Sequence, residues 1–508
     1  MKGEEKMSLN QPTNDCRITM PLVWRDVNTD ISEEMTLADY YPEIRKMLYL
    51  RCSLLPPSKF ISGNKIDVSG VADYTIVYLS ADGQICSAPF LTEYSFSLPV
   101  ENMNDFEIGE GVTVMAHSVC ESSSVRVSSP RRLQIRSHLR TSLGAWGKRL
   151  CSEEITNLEN CESVERLGAT LVSTECFCES SDVITLSDEY KLPNESAGVT
   201  VAEGRVSIKD YRIEEECVRM KGDVMVELLI CSSEGRSETV TRKLPFDVST
   251  ELDGVDISED CSLRVSGNVT DLSVNVEDGN AQIEANAVLE ICCFGTKELE
   301  YTADLFSVEQ ECTCHYRDLE IPKLIYNGNI SFAQTDKISV EDMGIFDDAE
   351  LVDARAYATV EGIERDEAKI SLRGTCKYNL VYARNGEYAS AEAKLPFRCE
   401  LDAKNTYWEI ISFDAIVDGI GTRAKRDGDY ISFDTQMDIC ATLWGSEKVR
   451  TVESADFGEA LEKHNSAFIV CYPTSEDDLW SIAKRYSVRQ CDVSGEPAQD
   501  RFLMIERK

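Results

Sequence analysis

The sequence predicts a mainly β protein: three tandem antiparallel β domains of sandwich-like build, followed by a small C-terminal module that contains a helix. Three observations lead there. Gly70, Gly222 and Gly374 are separated by 152 residues in both intervals, and each opens a strand-like run. From each glycine, offsets of two, four, six and eight carry apolar side chains: Ala72, Tyr74, Ile76 and Tyr78, then Val224, Val226, Leu228 and Ile230, then Cys376, Tyr378, Leu380 and Tyr382. Each copy also closes on an aromatic-Gly pair, Trp146-Gly147, Phe294-Gly295 and Trp444-Gly445.

Successive side chains of a strand point to opposite faces, so a period of two describes a strand with one buried face. The intervening Val71, Asp73, Thr75, Asp223, Met225, Glu227, Thr375, Lys377 and Asn379 are mostly polar, which assigns the other face to solvent. Each strand runs into a pair that tolerates positive φ, Asp82-Gly83, Glu234-Gly235 or Asn385-Gly386, as hairpin turns require. Eleven residues past each turn glycine stands an aromatic: Tyr94, Phe246 or Phe397, the last two within Leu-Pro-Phe triplets.

Counting back in twos from the closing glycines gives Ala145, Leu143, Thr141 and Leu139, then Cys293, Ile291, Leu289 and Ala287, then Leu443, Ala441, Ile439 and Met437. This is a second strand with one buried face. The distances from opening to closing glycine are 77, 73 and 71 residues, so length varies in the loops, where it costs least. We assign the units to residues 1–150, 151–300 and 301–456. Residues 148–210, with Val172, Val183, Ile184 and Leu186 in strand-like surroundings, are expected to complete a neighbouring unit.

Composition limits the function. Lys and Arg total 52 against 90 Asp and Glu, a formal charge of −38. Such a surface repels phosphate backbones and anionic lipid, which argues against nucleic-acid binding and membrane association. It serves solubility or a basic partner. The segment Met1–Met7 lacks a following apolar core and no 18-residue apolar stretch occurs, so neither export nor membrane insertion is expected.

The 20 cysteines then belong to a reducing compartment, and several, such as Cys293 and Cys376, stand where a small core hydrophobe belongs. Cys176-Phe177-Cys178 and Cys312-Thr313-Cys314-His315 place two thiols on one strand face, suited to buried or surface thiols, a metal site or a regulatory disulfide. Neither has the paired halves of a structural zinc site, so no metal is expected. His117, His138, His315 and His464 are scattered, and no phosphate loop, dinucleotide fingerprint or His-Glu-x-x-His occurs. We expect no catalysis and no cofactor.

The chain's end changes character. Phe468-Ile469-Val470 reads as a strand, Ser475 as a helix N-cap, and Leu479–Tyr486 as a helix whose Leu479, Ile482, Ala483 and Tyr486 form one apolar stripe. Phe502–Ile505 reads as a closing strand. Trp480 serves either the small core or a partner, and a module this size favours packing. Lys484 and Arg485 flank the stripe as a local basic patch or as solvated charges.

The segment Asp478-Leu479-Trp480-Ser481-Ile482-Ala483-Lys484-Arg485-Tyr486-Ser487-Val488 resembles the first helix of LysM domains, β-α-α-β modules that usually bind N-acetylglucosamine polymers such as peptidoglycan. The resemblance covers residues 464–508. Where the family usually has Gly-Asp-Thr-Leu, this chain has Glu476-Asp477-Asp478-Leu479, and Pro497-Ala498-Gln499 replaces Pro-Gly-Gln. A shortened second helix falls around Arg489–Asp492. Losing the glycine changes backbone freedom and charge at the sugar-binding loops, which favours a protein ligand.

A LysM module after acidic β repeats resembles the spore-coat morphogenetic proteins of the SipL and SpoVID type, whose repeat is the SPOCS domain. That resemblance implies a scaffold in the mother-cell cytosol, at the forespore surface and in the spore coat. Its implied partners are a SpoIVA-like coat-basement ATPase and other coat proteins, with peptidoglycan as the alternative ligand. A hydrolase targeted by its LysM module is a further alternative. The partner-binding residues it points to are Asp478, Leu479, Trp480, Lys484, Arg485 and Tyr486. The repeats themselves read as a string of platforms for multivalent adhesion.

Overall fold

The computed structural model describes residues 17–100, 112–150, 163–194, 197–214, 217–232, 237–252, 261–346, 348–366, 369–403, 408–462, 468–475, 477–495, 497 and 502–506. It is mainly β, built of antiparallel sheets, with one α-helix among these residues.

The first copy supplies β1 (Arg17–Thr36), β2 (Ile44–Leu54), β3 (Ser58–Ser62), β4 (Lys65–Ser80), β5 (Ile85–Pro99), β6 (Thr113–Ser129) and β7 (Arg132–Leu150). The second supplies β8 (Val164–Lys191), β9 (Ala197–Glu214), β10 (Cys217–Ser232), β11 (Ser237–Glu251), β12 (Ser262–Glu277) and β13 (Asn280–Ser307). The third supplies β14 (Gln310–Ser339), β15 (Glu350–Asp366), β16 (Lys369–Arg384), β17 (Glu387–Leu401), β18 (Glu409–Asp427) and β19 (Tyr430–Ala460). One strand order recurs. The glycine-led strand is central in one sheet (β2-β4-β5 with β3, β9-β10-β11, β15-β16-β17), and the closing strand is central in the other (β1-β7-β6, β8-β13-β12, β14-β19-β18). Residues 164–191 and 197–210 therefore belong to the second copy, through β8 and β9.

Central strands have neighbours on both sides and bury their apolar face. Eleven of the twelve alternating residues after the opening glycines are at most 2 % exposed, and Tyr382 is 7 % exposed. All twelve before the closing glycines are 0 % exposed, including Thr141. The turns follow suit: Gly83 has φ 79°, and Asn385 and Gly386 have φ 51° and 80°. Glu234-Gly235 lies outside the described residues.

The opening glycines have a steric reason. Gly70, Gly222 and Gly374 pair across the ladder with Tyr94, Phe246 and Phe397, the aromatics found eleven residues past each turn. Each ring lies over its glycine, so that a Cβ there would fall 2.5 Å from Tyr94 Cζ, 2.6 Å from Phe246 Cζ and 2.6 Å from Phe397 Cε1. The aromatic covers the bare backbone and fixes the register.

The copies are not strung apart. Val77, Leu229 and Val381, seven residues past the three glycines and at most 1 % exposed, form one cluster with Leu48, Tyr49, Ile85 and Val201. The closing aromatics meet in a second cluster. Trp146 and Trp444 lie 4.2 Å apart between ring centroids, Phe294 stands edge-on to Trp444 at 5.3 Å, and Trp24 is edge-on to Trp146 at 5.8 Å. Equivalent positions of three copies that touch one another define an approximate threefold axis, and the expected string of platforms is one closed body.

Replacing Gly70 by Ala should cost about 1–3 kcal/mol through overpacking against Tyr94. The same change in a Tyr94→Ala background should cost markedly less, a coupling that denaturant unfolding of the four-member cycle would measure.

Candidate functional site

Beyond the aromatic cluster, β13 and β8 continue as a two-stranded ribbon, and β14 and β19 continue as another. The ribbons pack through Leu171, Ile321 and Val449, and Thr451 Oγ1 donates to the Thr302 carbonyl at 3.2 Å. Together they form a stem for the C-terminal module. That module consists of β20 (Phe468–Cys471), α1 (Leu479–Tyr486), a 3-10 turn (Gln490–Asp492), β21 (Val493–Ser494) and β22 (Leu503–Glu506), with sheet order β20-β22-β21.

The helix occupies the residues the sequence predicts, but its N-cap is Asp478 and not Ser475. An N-cap must directly precede the first helical residue, and Ser475 stands too far upstream. Asp478 Oδ1 accepts from Ser481 N at 2.7 Å while Ser481 Oγ accepts from Asp478 N at 3.0 Å, a reciprocal capping box. These bonds to backbone and side chain of Ser481 hold the Asp478 carboxyl below its ordinary range.

The six residues singled out in the sequence divide between two environments. Trp480 is 7 % exposed, stands edge-on to Phe306 of β13 at 5.0 Å between centroids, and donates through Nε1 to Asp304 Oδ2 at 2.8 Å. Lys484 Nζ lies 2.7 Å from both carboxylate oxygens of Asp304, and Tyr316 of β14 donates to Oδ1 at 2.8 Å. Burial acts to raise the Asp304 carboxyl, but these three donors outweigh it and hold it below its ordinary range. Leu479 and Tyr486 are half-buried against the module's core. Asp478 and Arg485 face solvent, and Arg485 pairs with Asp477.

One face of the small sheet packs on the helix through Cys471, Leu503 and Ile505. The other face carries Phe468, Val470 and Met504, and Tyr472 and Phe502 flank it with rings 6.5 Å apart. These five side chains are 41–73 % exposed. A contiguous apolar patch of this kind is the usual mark of an interaction surface. It escaped the sequence reading because each residue there resembles a core hydrophobe.

A second polar centre lies on the threefold axis, where each copy turns two edge strands inward. The register places Arg51, Glu203 and Arg355 at equivalent positions of β2, β9 and β15. These interlock between copies: Arg355 Nη1 sits 3.7 Å from Glu203 Oε2 and 2.8 Å from Glu227 Oε2, and Arg51 Nε sits 3.9 Å from Glu203 Oε1. Asp353 caps the layer, accepting from Arg355 Nε at 2.9 Å and from Thr239 Oγ1 at 2.9 Å. Nearer the aromatic cluster, β6, β12 and β18 bring together His117, Arg264 and Asp414, one from each copy. Asp414 Oδ2 accepts from Arg264 Nη1 at 2.7 Å and lies 2.7 Å from His117 Nδ1. Burial pushes the Asp414 carboxyl up, yet His117 and Arg264 overcome it and hold it well below the usual range.

Between these layers lies a cavity of about 240 Å³, lined by residues that include Arg51, His117, Glu203, Arg205, Tyr357 and Asp418. Burial pushes the Asp418 carboxyl up to about 8, so it is largely protonated at neutral pH. A chamber of this size and polarity accommodates several waters.

Among the described residues, no group of three or more His, Cys, Asp or Glu side chains is placed to hold a metal ion, and no helix is long and apolar enough to cross a membrane. Cys314 donates to the Leu305 carbonyl at 3.1 Å, and the side chains of Cys176 and Cys178 lie outside the described residues. No family model matches the chain, and neither does any curated protein or solved structure.

Asp304→Asn should loosen the module by about 2 kcal/mol, the scale of a charge-assisted hydrogen bond. Amide hydrogen exchange across Leu479–Tyr486 would then accelerate roughly 10–100-fold, with the threefold body unaffected. Because the folded carboxyl is held below its unfolded value of about 3.9, the contribution is complete at neutral pH and is lost as pH falls below about 4.

Proposed function

We propose that this chain is a non-enzymatic spore-coat morphogenesis scaffold. It works from the mother-cell cytoplasm at the forespore surface, holding a SpoIVA-like coat-basement ATPase and other coat proteins there. On this reading the threefold body is built of three SPOCS-type repeats and residues 464–508 form a LysM-type module. The observation that carries the proposal is the apolar face of Phe468, Val470, Tyr472, Phe502 and Met504, displayed on a module that Asp304 anchors to the stem. The charge of −38 supports a protein partner over nucleic acid or anionic lipid. Trp480 and Lys484 then set the module's orientation, while Asp478 and Arg485 offer a second, solvent-facing contact on the helix side and Leu479 and Tyr486 pack half-buried against the module's core.

Peptidoglycan binding is the second reading, favoured by the exposed rings of Tyr472 and Phe502, since aromatic faces can stack on sugars. Pull-down of a purified SpoIVA-like ATPase by the full chain, and by a chain ending at Lys463, tests the first reading. Capture should fall at least tenfold on truncation, and equal capture by both would remove the module from the contact. Cosedimentation with peptidoglycan tests the second.

A further inference from the structure

We propose that Cys52 and Cys120 form a redox-responsive dithiol, which a peroxide converts to a disulfide joining the two sheets of the first copy. Cys52 lies on β2, at the edge of one sheet, and Cys120 lies on β6, at the edge of the other. Both line the axial cavity, so a small oxidant has a route to them. Both side chains pack half-buried against the first copy's core, close enough for each thiol to perturb the other, and Cys120 Sγ donates to the Ser122 carbonyl at 3.4 Å. The pair is 68 residues apart in the chain, yet the sandwich brings both against one core cluster, on strands that touch each other.

The environment makes the two thiols unequal. The neighbouring Cys52 thiol, with help from Ser137 and from Lys377 of the third copy, lowers the Cys120 thiol. The Cys120 thiol beside it, followed by burial, raises Cys52 well above its ordinary value. Burial also raises Cys86, Cys231, Cys376 and Cys399, which leaves them poor nucleophiles. A lowered thiol beside a second thiol is the arrangement of an attacking and a resolving cysteine.

The chemistry balances with hydrogen peroxide as oxidant. The Cys120 thiolate attacks one peroxide oxygen, the O–O bond breaks, and Cys120 sulfenic acid and hydroxide form. The Cys52 sulfur then attacks the sulfenic sulfur and gives up its proton, and hydroxide leaves to form water. Two thiols are oxidised, one peroxide is reduced, and two waters result. The bond fixes β2 to β6 beside the axis on which the copies meet.

Limited hydrogen peroxide treatment of the full-length chain, followed by differential alkylation and peptide mass spectrometry of the monomeric fraction, tests this. We expect a Cys52–Cys120 linked peptide to appear roughly tenfold or more faster than thiol loss at Cys86 or Cys376, and dithiothreitol to reverse it. In Cys52→Ser, dimedone should label Cys120. Oxidation of Cys52 and Cys120 no faster than Cys86 in the unaltered chain, which needs no variant to fold, would overturn the proposal. Dimedone on Cys52 instead of Cys120 in the unaltered chain would overturn the assigned roles.

Discussion

The structure depends on three β copies closing around one axis. A lone two-sheet unit leaves its edge strands with unpaired backbone groups and unmatched side chains, a standing liability for β proteins. Here β2 and β6, β9 and β12, and β15 and β18 turn those edges toward the axis, where each copy meets the other two. Val77, Leu229 and Val381 bury the second face of strands whose first face is already core. The aromatic cluster does the same for the closing strands.

That closure explains why the copies keep their cores and diverge in their polar residues. Arg51, Glu203 and Arg355 occupy one structural position three times, and three identical charges there would repel at close range. Alternating the sign turns repulsion into a ladder. The same holds for Arg264 and Asp414, also equivalent by register. Removing one member of such a pair leaves an uncompensated buried charge, a loss of about 3–5 kcal/mol. Divergence between copies is therefore a condition of their assembly, and each copy is fitted to its neighbours.

Much of the β architecture was legible because alternation is a local pattern: the twelve core positions after the opening glycines and the twelve before the closing ones are buried. The opposite face of the glycine-led strands, assigned to solvent, is instead covered where the copies meet, and Asp223 and Asn379 on it are buried as well. The helix was legible for the same reason, since Leu479, Ile482, Ala483 and Tyr486 form a stripe without outside help. Its cap was misplaced because several acidic and hydroxyl residues precede the helix, and of these Asp478 alone adjoins its first residue and closes the reciprocal bonds with Ser481. The axial centre was hidden because its partners are 152 residues apart and differ in identity, so that Arg51 reveals nothing until Glu203 is beside it. Trp480 read as suited to core or surface with packing favoured, but Asp304, the acceptor that fixes its place, lies 176 residues upstream and could not be foreseen.

A closed body changes how adhesion would work. Three independent modules would each explore space, whereas a rigid head with a stem presents its C-terminal module at one defined place. The central claim, that the three copies share one core, is tested most directly by Val77→Asp with amide hydrogen exchange read across the whole chain. The account predicts lost protection in the second and third copies, at residues 224–230 and 376–382, as well as in the first. Loss confined to residues 44–99, with the other two copies protected as before, would contradict it.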